Sequence, residues 1–394
     1  MDADSGGRAR VQRRPDQLTA AGRPPNEGGR ADRAADEVTG RRNRVAVVTD
    51  GTAVLGLGDV GPAAALPVME GKAALFVHLA GIDAVPICLA TKHPDEFVSA
   101  VRALAPSFGG IDLEAIAPPA CFEVERRLQE ALDIPVFHDD QHGTAIVVLA
   151  ALRNALRVVG KRVELARLVV VGAGPAGTAT ARLLVAGGAT DVVVVVRGGV
   201  LHHDDMPRLP LHEARLAGLT NRRRVRGGLA DALAGADAVV GLSRAGVLTR
   251  ELVASMGEAP VVFALAAPEP EIRPERVSDI AAVVATGHVD YPNRVDNALA
   301  FPGVFRGALD ARAPRITMPM RLAAADVLAG LVPREALSTT RLLPEVLDGQ
   351  VVPTVAGAVA AVAAERRRRV DPAAGGVPRQ DAARNVSPQE GVGP

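Results

Sequence analysis

Pro135-Val136-Phe137-His138-Asp139-Asp140-Gln141-His142-Gly143-Thr144-Ala145 and, 32 residues beyond Asp140, Gly172-Ala173-Gly174-Pro175-Ala176-Gly177 decide how this chain is read. In the first stretch two adjacent acids stand between an apolar, strand-like run and the opening of a helix. Paired carboxylates suit a hard divalent cation, Mg²⁺ or Mn²⁺, because such ions take oxygen ligands. In the second stretch a glycine loop follows the β-branched run Arg167–Val171 and precedes a helical pattern over 176–186, the context a dinucleotide-binding turn requires. Gly172 and Gly174 allow the tight turn and the close approach of a pyrophosphate, and Gly177 lets the helix pack on the strand. Together the two stretches point to metal-assisted hydride chemistry.

Outward from these stretches, strand and helix patterns alternate. Strands are expected at 45–48, 84–89 and 134–137, helices at 61–71, 94–105 and 122–132, and a helix or strand at 73–79. An apolar helix over 144–159 links two domains. Beyond it, strands at 192–196, 238–241, 261–265 and 282–284 extend a parallel sheet. The fold class is therefore α/β with two domains: an α/β domain over 43–152, then a Rossmann-like, doubly wound parallel-sheet domain with C-terminal helices over 153–364. Residues 1–42 are rich in Arg, Gly, Asp and Pro, contain no aromatic residue and lack periodicity, so they are expected to be disordered, as is the tail at 365–394.

Bulk properties narrow the function. The 394 residues suffice for two cores, and 45 basic against 45 acidic residues give no net charge to attract nucleic acid. No apolar run reaches the roughly 18–20 residues of a spanning helix and no hydrophobic leader opens the chain, so a cytoplasmic protein without a membrane partner is expected. Cys88 and Cys121 are too few for a disulfide framework and read as buried, reduced thiols. Lysine is rare: only Lys72, Lys92 and Lys161 occur, so Lys72 stands out.

Five segments occur in one order: Thr49-Asp50-Gly51-Thr52-Ala53-Val54-Leu55-Gly56-Leu57-Gly58, Met69-Glu70-Gly71-Lys72, the Asp139-Asp140 segment, the glycine loop, and Asn297-Ala298-Leu299-Ala300-Phe301-Pro302-Gly303. In this the chain resembles malic enzymes over about 42–364. The resemblance implies oxidative decarboxylation of (S)-malate to pyruvate and CO₂ with NAD or NADP and Mg²⁺ or Mn²⁺, in a homodimer or larger homo-oligomer. It assigns Lys72 as general base, with a pKa that must fall toward neutrality, and Asp139 as the group that orients it or shares its proton. Glu114 and Asp140 would ligate the metal, Asn297 would contact substrate, and Gly172, Gly174 and Gly177 would bind the dinucleotide.

Several positions depart from the family pattern. Ala115 stands where the family has an acidic metal ligand after Glu114, Ala267 where it has an asparagine, and Asp296 replaces the first asparagine of a substrate-contacting pair and adds negative charge. Val196 ends the second strand of the nucleotide domain where an acid often holds the adenosine ribose; the neighbouring Arg197 leaves room for NADP, and the choice between NAD and NADP stays open. The family's Tyr-Thr-Pro-Gly segment is absent upstream of Val45, and the one tyrosine is Tyr291. Either the acid it supplies is lost, or the first 42 residues come from a changed frame or start. The alternative to a working enzyme is a degenerate relative that binds dinucleotide or a partner subunit with little turnover; a two-domain dehydrogenase for an amino acid or folate fits the segments less well. His138 and His142 read as packing groups rather than ligands, and His202-His203-Asp204-Asp205 as a solvated loop.

Overall fold

Valine-rich runs build both sheets of the computed structural model, which describes residues 36–370. Strands β1 (Arg44–Thr49), β2 (Asp83–Cys88), β3 (Gly110–Leu113) and β4 (Val136–His138) form a parallel sheet in the order β2-β1-β3-β4. The register pairs Val45 with Ala84 on one side and with Gly110 on the other. Such strands are covered on both faces, which is why β1 is apolar over Val45–Val48 and buried from Val45 onward. Helices α1 (Gly61–Ala80), α2 (Pro94–Leu104) and α3 (Ala120–Ala131) accompany this sheet.

From β4 the chain passes directly into α4 (Asp139–Val158), a helix buried along most of its length, and on to the second sheet. There β5 (Arg167–Val171), β6 (Asp191–Val196), β7 (Gly199–Val200), β8 (Ala238–Gly241), β9 (Val261–Ala264) and β10 (Val283–Thr286) take the order β10-β9-β8-β5-β6-β7, with β7 antiparallel to β6. Around them lie α5 (Pro175–Ala186), α6 (Leu211–Leu219), α7 (Leu229–Leu233) and α8 (Arg250–Ala254). Strand order reverses between β5 and β8, so a crevice opens at the carboxyl ends of the strands.

Three further helices, α9 (Phe301–Asp310), α10 (Met318–Gly330) and α11 (Val351–Val370), turn back on the first lobe. There α9 meets α1 and α10 meets α4. Half of the chain's eight phenylalanines gather at this junction: Phe76 of α1 packs edge to face on Phe301 and Phe305 of α9 at 4.7 and 5.3 Å, and Phe137 of β4 packs on Phe305 at 5.7 Å. Edge-to-face pairs of this kind add about 0.5–1.5 kcal/mol each beyond their burial. The lobes are thus joined by apolar packing, not by a linker alone.

Some expectations are corrected. Gly71 and Pro67 break the helical pattern on paper, yet α1 runs unbroken through both. At 20 residues with a hydropathy of 1.3 it is long and apolar enough, by length and composition, to cross a membrane, so the statement that no run reaches that length does not stand. Its Ala65, Met69, Ala73 and Phe76 face the core. Residues 36–42 are not disordered: 36–38 form a helical turn, Arg41–Asn43 a 3-10 turn, and Arg41 pairs with Asp36 at 2.6 Å. The tail expected to be disordered from 365 is helical over 365–370, which belong to α11. What was expected for 1–35 and 371–394 lies outside the described residues.

Candidate active site

The carboxyl ends of β1, β3 and β4 meet at one point, and each delivers a polar segment there. Beyond β1, Gly51 turns back with φ +71°, and a Cβ at this position would lie 2.3 Å from the Gly61 carbonyl oxygen. The Thr52 hydroxyl accepts from the Ala117 backbone N–H at 2.8 Å, and the Ala53 N–H donates to the Ala115 carbonyl at 2.9 Å. This loop therefore clamps the segment that follows β3. Asp112 and Glu114, two residues apart along β3 and its extension, project on the same side of the sheet. At the end of β4 the acids start a helix: Asp139 and Asp140 form the first turn of α4, where the positive helix end favours carboxylates, so the helix begins five residues earlier than expected.

Lys72, reaching in from α1, joins these groups. Its Nζ lies 2.5 Å from Asp139 Oδ2 and 2.8 Å from Glu114 Oε1, and 4.0 Å from the centre of the Phe301 ring. A charge over the face of an aromatic ring is attracted by its quadrupole. Asp139 is fully buried, and a Cβ on Gly143, one turn along α4, would fall 1.7 Å from Asp139 Oδ1. The same missing Cβ would come within 3.4 Å of Asn297 Cβ, so Asn297 stands beside the first turn of α4. Asp296 does not leave a bare charge next to it, since it pairs with Arg294 at 2.5 Å and accepts from the Ala298 N–H at 2.9 Å.

Burial would drive Lys72 neutral, but Asp139, Glu114 and Asp112 outweigh it and hold the ammonium well above the ordinary lysine range. The shift toward neutrality expected from sequence is therefore reversed among the protein's own groups. Burial raises the acids in turn: Asp139 is pushed up to about 6 and Glu114 to about 8 against the pull of Lys72. Asp112 is raised as well, from burial and then repulsion by Glu114 and Asp139, and neither of its oxygens has a hydrogen-bond partner.

Behind this cluster a second polar network locks α3 to α4 and α10. Glu125 accepts from Gln141 Nε2 at 3.0 Å and lies 2.8 Å from His142 Nε2, while Arg321 lies 2.9 Å from His142 Nδ1. Arginine can only donate, so Nδ1 accepts and Nε2–H donates to Glu125. His142 is thus neutral, and burial depresses its pKa to about 4. Glu125 is held at about 2: its burial is overcome chiefly by His142 and then by Arg321. Both histidines flanking the acids are buried, as expected of packing groups.

Asp140 is the acid of the cluster nearest solvent; its Oδ2 accepts from the Ala115 N–H at 2.7 Å. Ala115 itself adopts φ +53°, the left-handed region that Asp and Asn tolerate better than alanine. Oxygen donors at Glu114 and Asp140, with the unpartnered Asp139 Oδ1 and Asp112 carboxyl close by, fit a hard divalent cation. Among the described residues, however, no group of three acids, histidines or cysteines is arranged to hold a metal. Ala115, between Glu114 and the loop that follows, offers no side-chain oxygen.

In the second lobe the glycine loop has the geometry its sequence implied. A Cβ on Gly172, at φ +109°, would lie 2.3 Å from the Leu242 carbonyl oxygen, and one on Gly177 2.1 Å from the Gly172 carbonyl oxygen. Gly174 instead borders open space, as the approach of a pyrophosphate to the start of α5 demands. Glu271, fully buried, accepts from the Ser243 and Ala266 N–H groups at 2.8 and 2.9 Å and so ties the loops after β8 and β9 together. Gly56 of the first lobe stands 3.9 Å, measured from a built Cβ, from Pro268 in the second of these loops. Ala267 lies in the same loop, and Arg197 is exposed just past β6.

Sequence reasoning gathered Lys72, Glu114, Asp139, Asp140 and Asn297, and the structure places them together. It missed Asp112, Phe301, Glu125, Glu271 and His202. Asp112 had a signal, the two acids spaced by one residue in an otherwise apolar run, and His202 was read as solvated but is only 3% exposed.

Known proteins match this arrangement. Residues 22–129 match the malic enzyme N-terminal domain model and 141–364 the malic enzyme NAD-binding domain model. An NAD-dependent malic enzyme of Geobacillus stearothermophilus is 51% identical over 327 residues, covering 83% of this chain and 68% of that protein. A bifunctional malic/malolactic enzyme of Bacillus subtilis is 49% identical over 340 residues, covering 85% and 83%. The crystal structure of an NAD-dependent malic enzyme from Thermotoga maritima superposes with a TM-score of 0.83 at 43% identity, covering 91% of this chain and 94% of that one. Collinear motifs, two parallel-sheet lobes and these matches across both of them together make this chain a member of the malic enzyme family.

Proposed function

We propose that the protein oxidatively decarboxylates (S)-malate to pyruvate and CO₂, with the C2 hydride reducing NAD or NADP. The observation that carries this is the convergence of Lys72 Nζ on Asp139 and Glu114 at 2.5 and 2.8 Å, in a chain whose second lobe carries the glycine loop. Proton movement belongs to the Lys72–Asp139 pair. The two groups are in direct hydrogen-bond contact, so a proton taken up at the pair can pass between them once the carboxylate charge that holds Lys72 protonated is offset, and burial excludes competing water. Lys72 and Asp139 together accept the C2 hydroxyl proton, and the protonated Lys72 then returns one to the carbon vacated by CO₂. Tyr291 is engaged elsewhere, its hydroxyl donating to Glu275 at 2.8 Å. Asn297 positions the substrate beside Asp139.

Glu114 and Asp140 are the residues that would hold Mg²⁺ or Mn²⁺. Once bound, such an ion would polarise the substrate oxygens and offset the carboxylate charge that keeps Lys72 protonated. With one acid fewer than the family's set, affinity for it is weak. Second copies of the chain would meet along α1, where Leu66 and Val77, eleven residues apart and so on one side of the helix, are 40 and 52% exposed, giving a homodimer or larger assembly. The two unpaired thiols suit work in the cytoplasm.

Assay of the purified full-length chain with (S)-malate and Mn²⁺, following nicotinamide reduction alongside dinucleotide binding, tests the proposal. Turnover with either coenzyme is expected. Coenzyme binding without malate-dependent reduction at saturating Mn²⁺ would favour the degenerate relative instead.

A further inference from the structure

A cavity of about 900 Å³ opens at the carboxyl ends of β5, β6 and β8, bordered by Gly172 of the glycine loop. In a Rossmann sheet this is where the adenosine half of a dinucleotide lies, with an acid at the end of the second strand taking the ribose hydroxyls. No acid ends β6 here; Val196 does, and Arg197 follows it into the lining. Arg244, in the loop after β8, reaches the same cavity from the other side. Neither guanidinium has an ion pair among the described residues, whereas Arg226, also in the lining, is tied to Asp204 at 2.5 Å. Asp205 is the one carboxylate of the lining.

His202 supplies an independent observation. It is 3% exposed and lines the cavity, and its Nδ1 accepts the Asp204 backbone N–H at 3.2 Å. The ring proton therefore sits on Nε2, and that buried donor has no partner. A donor held dry beside two uncompensated guanidinium groups calls for an anion with several acceptor oxygens.

We infer that this cavity selects NADP over NAD by receiving the phosphate on the adenosine ribose 2′-oxygen, with Arg197 and Arg244 as its charge partners and His202 Nε2–H as a hydrogen-bond donor. The inference rests on the dinucleotide-binding part of the proposed function. Titration of the full-length protein with NADPH and with NADH, each followed by nicotinamide fluorescence, tests it. NADPH is expected to bind at least about tenfold more tightly, a difference of roughly 1.4 kcal/mol. The double substitution Arg197→Gln, Arg244→Gln, at exposed positions, should bring the two dissociation constants to within about twofold of each other by weakening NADPH alone. Adenosine 2′-monophosphate should displace NADPH from the wild type better than adenosine 5′-monophosphate does. Equal binding of NADH and NADPH by the wild type, or a preference unmoved by the double substitution, would overturn the assignment while leaving the dinucleotide site intact. Failure of both coenzymes to bind would overturn the dinucleotide site and the assignment together.

Discussion

Lys72 Nζ and Asp139 Oδ2, 67 residues apart in sequence, stand 2.5 Å apart where two helices meet. Because Lys72 also faces Glu114, its removal leaves buried acids uncompensated as well as deleting a proton carrier. Lys72→Ala should lower malate-dependent turnover by roughly 10²–10⁴-fold with dinucleotide affinity unchanged. Initial rates and coenzyme titration of the two proteins decide it, and equal rates would remove Lys72 from the mechanism.

Gly143 tests the position of Asp139 rather than its chemistry. A methyl at this site must displace the Asp139 carboxylate, since the built Cβ falls 1.7 Å from Oδ1. A shift of about 1 Å in a reacting group costs on the order of 10²-fold in rate. Gly143→Ala should therefore lose about that much turnover while still folding with a cooperative thermal transition; unchanged kcat would mean that the carboxylate's placement is immaterial.

At Ala115 the backbone already has the left-handed conformation that an aspartate accommodates, and its N–H is committed to Asp140. Ala115→Asp adds a third oxygen ligand without altering that hydrogen bond. Mn²⁺ should bind roughly tenfold more tightly, as a change of one ligand in charge count implies. Electron paramagnetic resonance of free Mn²⁺ during titration measures this, and no gain in affinity would show that Glu114 and Asp140 do not hold the ion.

Glu125 predicts an acid limit to stability. Its carboxyl titrates at about 2 in the folded chain against 4.5 when unperturbed, so the unfolded chain binds the proton more readily. The stabilisation is complete above about pH 4.5 and is lost as pH falls through about 2, amounting to about 3 kcal/mol. Tm measured across that window should fall for the wild type. For Glu125→Gln it should start lower and change less; parallel curves would contradict the assignment.

Much of this was legible in the sequence because parallel α/β units announce themselves: β1, β5 and β6 are valine runs, and the glycine loop follows its strand without a gap. What escaped was local. β3 spans only Gly110–Leu113 and carries the buried Asp112, and a charge inside a four-residue strand erases the apolar signal by which strands are found. The start of α4 was misplaced because Asp139 and Asp140 resemble a loop, although acids are favoured in a helix's first turn. His202 looked solvated among polar neighbours, but it is buried where the chain leaves β7. The direction of Lys72's shift could not be read at all, since it depends on how many carboxylates surround one ammonium in space.

Phe301, the ring over Lys72, comes from α9, which begins more than two hundred residues later than the helix it serves. During synthesis every acid of the cluster leaves the ribosome well before this ring exists. The ammonium gains its aromatic floor only when the far end of the chain has docked, so an amino-terminal fragment made alone would own the titrating groups yet lack the surface that aims them.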